Sequence, residues 1–249
     1  EGVRARAHVD AVGAIGLGEP VSAVAEHRLE ERVAGEDRLV QLRPAHALRA
    51  RVAGACNAVY RDAGGVIRGD LIDGEGFIRA LARTAADRPL VWNKTRALVV
   101  GTGGVGCAIV ASLAAQGIAE ISVFDTNRAG AEALLARVEA AYPATRVRFA
   151  QPDASGVDLL VNCTPLGMKP GETSPWTAAH FRTGQFFMDL VYVRPMTLLM
   201  EIAAQAGAGT ANGLGMLLHQ GRPGFEAWFG RKVDVSTEQR RVVAADLGA

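Results

Sequence analysis

The chain lacks an excess of charge of either sign. Its 27 lysine and arginine residues are almost balanced by 26 aspartate and glutamate residues, which leaves a formal charge of +1. A field this weak does not gather nucleic acid or anionic lipid, and the basic residues are scattered rather than clustered. We therefore expect no nucleic-acid partner and no membrane partner, and we expect a small molecule as the substrate.

Cysteine and long apolar runs are also scarce. The three cysteines, Cys56, Cys107 and Cys163, lack the paired spacing of a zinc site or a redox dithiol, so we expect no metal. They are typical of reduced thiols in a cytoplasmic protein. No apolar run reaches the roughly 18 residues that a membrane span needs, and the first residues do not form a secretory signal. The composition, 49% hydrophobic and 21% charged over 249 residues, is ordinary for a folded enzyme.

From residue 96 onward, predicted strands and helices alternate, which indicates a parallel sheet with helices on both faces. The predicted strands are 97–100, 121–124, 147–150, 159–162, 186–190 and 210–212. The predicted helices are 105–116, 129–141, 196–206 and 214–229. Upstream, a hairpin is predicted over 55–69 with its turn at 62–65, followed by a helix near 77–84. The first 50 residues show no pattern that assigns an element.

A GxGxxG segment, Gly101-Thr-Gly103-Gly104-Val105-Gly106, connects a predicted apolar strand to a predicted alanine-rich helix. This context is typical of dinucleotide-binding loops. Gly101 would permit the tight turn, Gly103 would let the backbone approach a pyrophosphate, and Gly106 would allow close packing of helix on strand. The N–H groups of the loop, including those of Gly104 and Val105, would hold the phosphates at the positive helix end. The alternative is that the glycines only form a strand-to-helix turn.

Asp125 ends the next predicted strand, where an acidic side chain can accept hydrogen bonds from the ribose hydroxyls of a dinucleotide. Together with the glycine loop, it favours dinucleotide binding over a simple turn. Because a carboxylate at this place repels a ribose 2′-phosphate, we predict NAD as the cofactor, with NADP less favoured. Thr126 and Arg128 follow in the same predicted subsite, although Arg128 could instead pair with a phosphate.

Five ordered segments over about residues 51–230 carry a family resemblance. They are Gly54-Ala-Cys-Asn-Ala-Val59, Gly69-Asp-Leu-Ile-Asp-Gly-Glu-Gly-Phe77, Val161-Asn-Cys-Thr-Pro-Leu-Gly-Met168, Asp189-Leu-Val-Tyr192 with Pro195 and Thr197, and Asn212-Gly-Leu-Gly-Met-Leu-Leu-His-Gln220. These segments resemble motifs of the shikimate dehydrogenase family, including its quinate dehydrogenase and shikimate dehydrogenase-like branches.

The resemblance implies an α/β fold with an N-terminal α/β substrate domain and a Rossmann-type dinucleotide-binding domain. We expect the substrate domain over residues 1–90, rejoined by 216–249, and the Rossmann domain over 91–215. The implied activity is reversible hydride transfer between NAD(P) and a ring hydroxyl or ketone of shikimate, quinate or a similar cyclic polyol acid. A homodimer is compatible with the sequence, which does not settle the oligomeric state.

The resemblance also implies roles for individual residues. Asp73 matches the carboxylate of the family's catalytic Lys–Asp pair, which would hold or accept the hydroxyl proton. Positions that bind or flank the substrate are matched by Asn57, Tyr192 and Gln220. Positions that line the cofactor's ribose and nicotinamide are matched by Thr164, Leu166, Leu190, Gly213 and Met216. Each also has a structural interpretation, since Asp before Gly often forms a turn and the others could cap a strand, fill the core or face solvent.

The family's catalytic lysine has no match in the sequence. The three lysines are Lys94, Lys169 and Lys232, and none precedes Asp73. Either the N-terminal part is incompletely represented or the lysine is lost, and the second case would allow a non-catalytic nucleotide-binding protein. No histidine is an obvious substitute base, because His180 and His219 fall in the cofactor half and the others in the unassigned segment.

Two apolar residues, Leu71 and Ile72, replace the Asn-Thr pair that precedes the family's aspartate. We expect this change to remove polar contacts to a hydroxylated ring and to loosen specificity for shikimate. The change also leaves open the hypothesis that the protein is a dehydrogenase for an altered substrate, such as aminoshikimate.

Overall fold

The computed structural model describes residues 25–26, 41–42, 47–87, 89–169, 171–172 and 174–246. Most of the first 50 residues, to which the sequence assigned no element, therefore lie outside the described residues. The same holds for His8, His27 and His46.

The N-terminal part combines short strands with two helices. In chain order its elements are β1 (Ala25–Glu26), β2 (Gln41–Leu42), α1 (Ala47–Ala53), β3 (Ala55–Cys56), β4 (Ala58–Arg61), β5 (Ile67–Asp70) and α2 (Asp73–Thr84). β1 pairs with β3, and a separate three-stranded sheet has the order β2-β5-β4. Helix α2 begins earlier than the predicted start near residue 77. The prediction missed its first turn because that turn contains Gly74 and Gly76, which are poor helix formers.

The predicted hairpin is confirmed, and one carboxylate holds its turn. β4 and β5 are antiparallel neighbours. Between them, Asp62 accepts hydrogen bonds from the N–H groups of Gly64 and Val66 at 3.0 and 2.9 Å, and its carboxylate pairs with Arg68 at 2.8 Å. Gly65 has a φ of +80°, a conformation that glycine adopts without a steric penalty. The turn is therefore fixed by its own residues.

The rest of the chain builds a six-stranded parallel sheet with helices on both faces. Its strands are β6 (Arg96–Val100), β7 (Glu120–Phe124), β8 (Arg146–Phe149), β9 (Leu159–Asn162), β10 (Phe186–Asp189) and β11 (Gly209–Asn212). Its helices are α3 (Gly104–Ala115), α4 (Arg128–Ala141), α5 (Leu198–Gln205), α6 (Leu214–Phe229) and α7 (Thr237–Asp246). Short 3₁₀ turns lie at Trp92–Lys94 and Ala178–His180.

The strand order is β11-β10-β9-β6-β7-β8, and every neighbouring pair is parallel. This is the doubly wound order of dinucleotide-binding domains, in which the direction of winding reverses between β6 and β9. The predicted α/β fold is confirmed.

Helix α3 is the centre of the larger hydrophobic core. It contacts α1 and α2 of the N-terminal part and the strands β6 and β7, so its sequence is apolar on all sides. A second core on the other face of the sheet is built around Trp176, Phe187 and Leu199. Within the described part of the chain, no helix is both long and apolar enough to cross a membrane.

Candidate active site

The loops that carry the predicted cofactor residues leave one edge of the parallel sheet. Gly101 follows β6, Asp125 follows β7, and Thr164 lies two residues beyond β9. Leu190 follows β10 and Gly213 follows β11. Because the carboxyl ends of parallel strands share an edge, the fold brings these residues to the side where doubly wound sheets bind their ligands.

The glycine loop is tight at two positions and open at a third. Gly101 has a φ of +94°, and a methyl group on Gly106 would lie 2.0 Å from the carbonyl oxygen of Gly101. Helix α3 could not start so close to β6 with a larger residue at Gly106. A methyl group on Gly103, by contrast, would meet no atom within 4 Å. The backbone at Gly103 is therefore accessible, as a loop that accepts a pyrophosphate requires, and the loop fits a dinucleotide.

Asp125 ties the glycine loop to the neighbouring strand. Its carboxylate accepts hydrogen bonds from the N–H and the hydroxyl of Thr102, at 2.5 and 3.0 Å, and from the N–H of Asn127 at 2.7 Å. Partial burial raises the pKa of Asp125, but these hydrogen bonds outweigh burial and hold the pKa below its usual range. A stable negative charge therefore lies at the end of β7, beside the glycine loop.

The start of α4 determines what Arg128 contacts. The Arg128 guanidinium lies over the ring of Phe149, 4.8 Å from its centroid, and pairs with Glu132 at 2.8 Å. Asn127, which the sequence prediction missed, caps α4 by accepting a hydrogen bond from the N–H of Gly130 at 3.1 Å. An Asn directly before a predicted helix was the available signal. Thr126 is exposed beside them.

A cavity of about 160 Å³ lies between the sheet edge and helix α6. The predicted residues that line it are Val105, Leu190, Tyr192, Gly213, Met216 and Gln220, and they are joined by Cys163 and Leu217. Cys163 was expected only as a packed thiol. Burial, with further contributions from Cys107 and Asp189, raises the pKa of its thiol well above the usual range, which disfavours the thiolate form that a nucleophile needs. A larger cavity of about 770 Å³ beside α5 contains none of the predicted site residues.

A buried polar network shapes the loops after β9 and β10. Asn162 donates to the Asp189 carboxylate at 3.0 Å and to the carbonyl of Leu166 at 3.1 Å. It accepts from the Thr164 hydroxyl at 2.6 Å, so that hydroxyl is occupied within the protein. Asp189 in turn accepts from the Thr197 hydroxyl at 2.6 Å. Sequence reasoning included Asn162 and Asp189 in family motifs but assigned them no role.

Helix α2 is held between α3 and α6 by two glycines. A methyl group on Gly74 would lie 2.7 Å from the carbonyl of Ala108 in α3, and one on Gly76 would lie 2.7 Å from the backbone nitrogen of Gln220 in α6. Asp73 is the first residue of α2 and is 5% exposed. Since residues three apart share a helix face, Asp73 lies one turn from the Gly76–Gln220 contact, but it is not among the residues that line the 160 Å³ cavity.

Asn57 connects the loop before Asp73 to the β3–β4 segment. Its side-chain oxygen accepts a hydrogen bond from the N–H of Ile72 at 2.8 Å, and its own N–H donates to the carbonyl of Asp70 at 3.0 Å. The side-chain NH₂ of Asn57 donates to no group among the described residues, and the residue is half-buried. One end of this amide therefore holds the loop, and the other end is available to a ligand.

The apolar pair before Asp73 does not face a ligand. Leu71 is 2% exposed and belongs to the larger core, while Ile72 is 7% exposed and packs towards Gly224 of α6. Both side chains anchor the start of α2 in the core and offer no polar group, and the expected loss of polar contacts to a hydroxylated ring stays a prediction.

His219 lies on α6 beside Gln220 but faces α2. Burial lowers its pKa, and the charges of Arg83, Arg79 and Arg222 lower it further, so the ring is neutral at pH 7. His219 is not among the residues that line the 160 Å³ cavity.

Comparisons with known proteins point to one family. The model of the shikimate 5′-dehydrogenase C-terminal domain matches residues 213–237. A shikimate dehydrogenase (NADP(+)) of Rhodopseudomonas palustris is 39% identical over 206 residues, which cover 81% of this chain and 70% of that protein. The solved structure of shikimate 5-dehydrogenase from Listeria monocytogenes, in complex with shikimate and NAD, is 30% identical with a TM-score of 0.71, covering 82% of this chain and 71% of that one. The structure of quinate dehydrogenase from Corynebacterium glutamicum in complex with NAD has a TM-score of 0.71 at 26% identity, with the same coverage.

Proposed function

Because the chain belongs to the shikimate dehydrogenase family, we propose that it is a pyridine-nucleotide-dependent oxidoreductase acting on shikimate, quinate or a similar cyclic polyol acid. The observation that carries this proposal is the cavity at the sheet edge, where Leu190 and Gly213 of the predicted cofactor site meet Tyr192 and Gln220 of the predicted substrate site. A reaction between a dinucleotide and a second molecule requires such a meeting of two subsites.

We propose that residues up to about 90, together with the chain from 216 onward, form the substrate side of this site. Helix α6 supports the proposal because it lies against α2 through the Gly76–Gln220 contact. The strands from β6 to β11 would form the cofactor side.

The glycine loop and the carboxylate at the end of β7 would hold the cofactor. A bound nicotinamide supplies the redox chemistry, accepting or giving the hydride. The open backbone at Gly103 and the N–H groups at the start of α3 would bind the pyrophosphate, and the wall formed by Leu190, Gly213 and Met216 would orient the reactive ring.

We propose NAD rather than NADP as the preferred cofactor, although the curated relative carries NADP(+) in its name. The ionised Asp125 would repel a 2′-phosphate. Arg128, which could have attracted that phosphate, already stacks on Phe149 and pairs with Glu132. The relatives solved with NAD show that the family accommodates this cofactor.

Asp73 would hold and accept the proton of the reacting hydroxyl. Its place in the first turn of α2 puts its carboxyl group at the positive helix end, and the glycine contacts fix that turn against α3 and α6. The free NH₂ of Asn57 and the side chains of Tyr192 and Gln220 would position the substrate. Reduced thiols would suit a cytoplasmic enzyme, and none of the three cysteines forms a disulfide within the described part of the chain.

The test is a spectrophotometric assay of the purified chain. Shikimate and quinate are each offered with NAD and with NADP, and absorbance of the reduced nicotinamide is followed. We expect reduction with at least one acid, faster with NAD, and a loss of that activity in Asp73→Asn. Measurable NAD binding without turnover of either acid would instead favour an altered substrate or a non-catalytic protein. Absence of binding would refute the assignment of the glycine loop.

A further inference from the structure

Asp189, the last residue of β10, carries a fully buried carboxylate whose hydrogen-bond donors are all neutral. It is 0% exposed. The side-chain amide of Asn162 donates to it at 3.0 Å, the N–H of Val191 at 3.2 Å and the hydroxyl of Thr197 at 2.6 Å. Across the part of the chain that the structure describes, no lysine, arginine or histidine pairs with it. Its charge is therefore stabilised by dipoles and is not cancelled by a cation.

This carboxylate lies directly behind the wall of the 160 Å³ cavity. Asp189 is opposite Asn162 in the register of β10 and β9. The residues that follow these two, Leu190 and Cys163, both line the cavity. The field of Asp189 reaches that wall, since it contributes to the raised pKa of the Cys163 thiol.

We propose that Asp189 makes the nicotinamide subsite prefer the oxidised cofactor. The oxidised nicotinamide ring carries one positive charge, whereas the reduced ring is neutral. A negative charge behind the wall attracts the oxidised ring and does not attract the neutral reduced ring. This inference rests on the proposed function, because it takes the wall of Leu190 and Cys163 to be the nicotinamide wall.

The effect of one buried charge can be bounded. Two unit charges roughly 10 Å apart, at an effective dielectric constant of about 20, interact strongly enough to change an equilibrium about tenfold. Asp189 therefore lowers the ratio of the NAD⁺ dissociation constant to the NADH dissociation constant by about tenfold.

The experiment compares the binding of NAD⁺ and NADH to the wild type and to Asp189→Asn, by calorimetry, without any substrate. Asparagine has nearly the same shape, and the Thr197 hydroxyl can rotate to accept a hydrogen bond from its amide. We expect the dissociation constant of NAD⁺ to rise about tenfold while that of NADH changes little. Asp189→Ser is a second neutral variant, and one folded neutral variant decides the test.

Thr197→Ser is the matched control, because it disturbs the same buried network and keeps both the hydroxyl donor and the charge of the carboxylate. Its ratio of dissociation constants should equal that of the wild type, even if both cofactor forms bind more weakly. Equal weakening of NAD⁺ and NADH in the neutral variants would show that Asp189 only supports the loops, and would overturn the proposal. A wild type that binds neither form would instead refute the proposed function.

Discussion

Replacing Gly76 by alanine tests whether the close contact between α2 and α6 builds the site. A Cβ atom at this position would lie 2.7 Å from the backbone nitrogen of Gln220 and 2.9 Å from its Cα. Alanine is better than glycine inside a helix by about 1 kcal/mol, but a methyl group forced into a packed contact costs about 1–3 kcal/mol. Because the obstructing atoms belong to the backbone and cannot rotate away, we expect a cost in the upper part of that range, about 2–3 kcal/mol, and therefore a net loss of about 1–2 kcal/mol.

For a chain of this size, 1 kcal/mol corresponds to about 2–4 °C in Tm, so Gly76→Ala should unfold about 5 °C below the wild type. The matched control is Gly221→Ala on α6, where an added Cβ meets nothing within 4 Å and the Tm should stay level or rise. Thermal unfolding followed by circular dichroism measures both. Since the displaced residue is Gln220, the KM for the acid substrate should also rise in Gly76→Ala only. Equal Tm values for the two variants would show that the helices separate freely and would refute this reasoning.

Three further predictions concern single side chains. Asp73→Asn should reduce kcat by at least about a hundredfold in steady-state assays and leave the Kd of the cofactor unchanged. Gly103→Ala should leave the Tm of the ligand-free protein unchanged, because its Cβ meets open space, and should raise the cofactor Kd about tenfold or more, a loss of about 1.4 kcal/mol. Asp125→Ala should weaken NAD more than NADP in binding titrations. The pKa of Asp125 is lower in the folded state than in the unfolded state. Its contribution to stability is therefore present above about pH 4 and is lost as the pH falls through the folded-state pKa. The acid unfolding curves of the wild type and of Asp125→Ala should therefore converge at low pH.

The parallel sheet was predictable because its four inner strands are buried on both sides. Segments such as 97–100 and 159–162 are short apolar runs between loop residues, and the structure places strands at these positions. Helix α2 was harder, since its first turn contains two glycines that lower helix propensity. Those glycines are explained by contacts with α3 and α6, which no local pattern reveals. Helix α7 was missed because it has no buried residue and therefore no apolar stripe.

Local sequence patterns were an incomplete guide to the candidate site as well. Motif positions identified most of the cavity wall, because the loops that follow parallel strands must converge. They did not reveal that the Asn57 oxygen and the Thr164 hydroxyl are already used within the protein. Nor did they reveal that the side chains of Leu71 and Ile72 are buried. Only the fold decides which way a side chain points.

The burial and charge of Asp189 indicate a role that its sequence motif does not. Burial raises the pKa of this carboxyl, while the hydrogen bonds from Thr197, Val191 and Asn162 act against that rise. A neutral residue of similar shape would avoid the desolvation of a charge, so loop support alone does not require an acid here. A cationic ring on the other side of the wall formed by Leu190 and Cys163 would be stabilised by one. The ratio of NAD⁺ to NADH binding is therefore the measurement that separates the two explanations, because the two forms of the ring differ in charge.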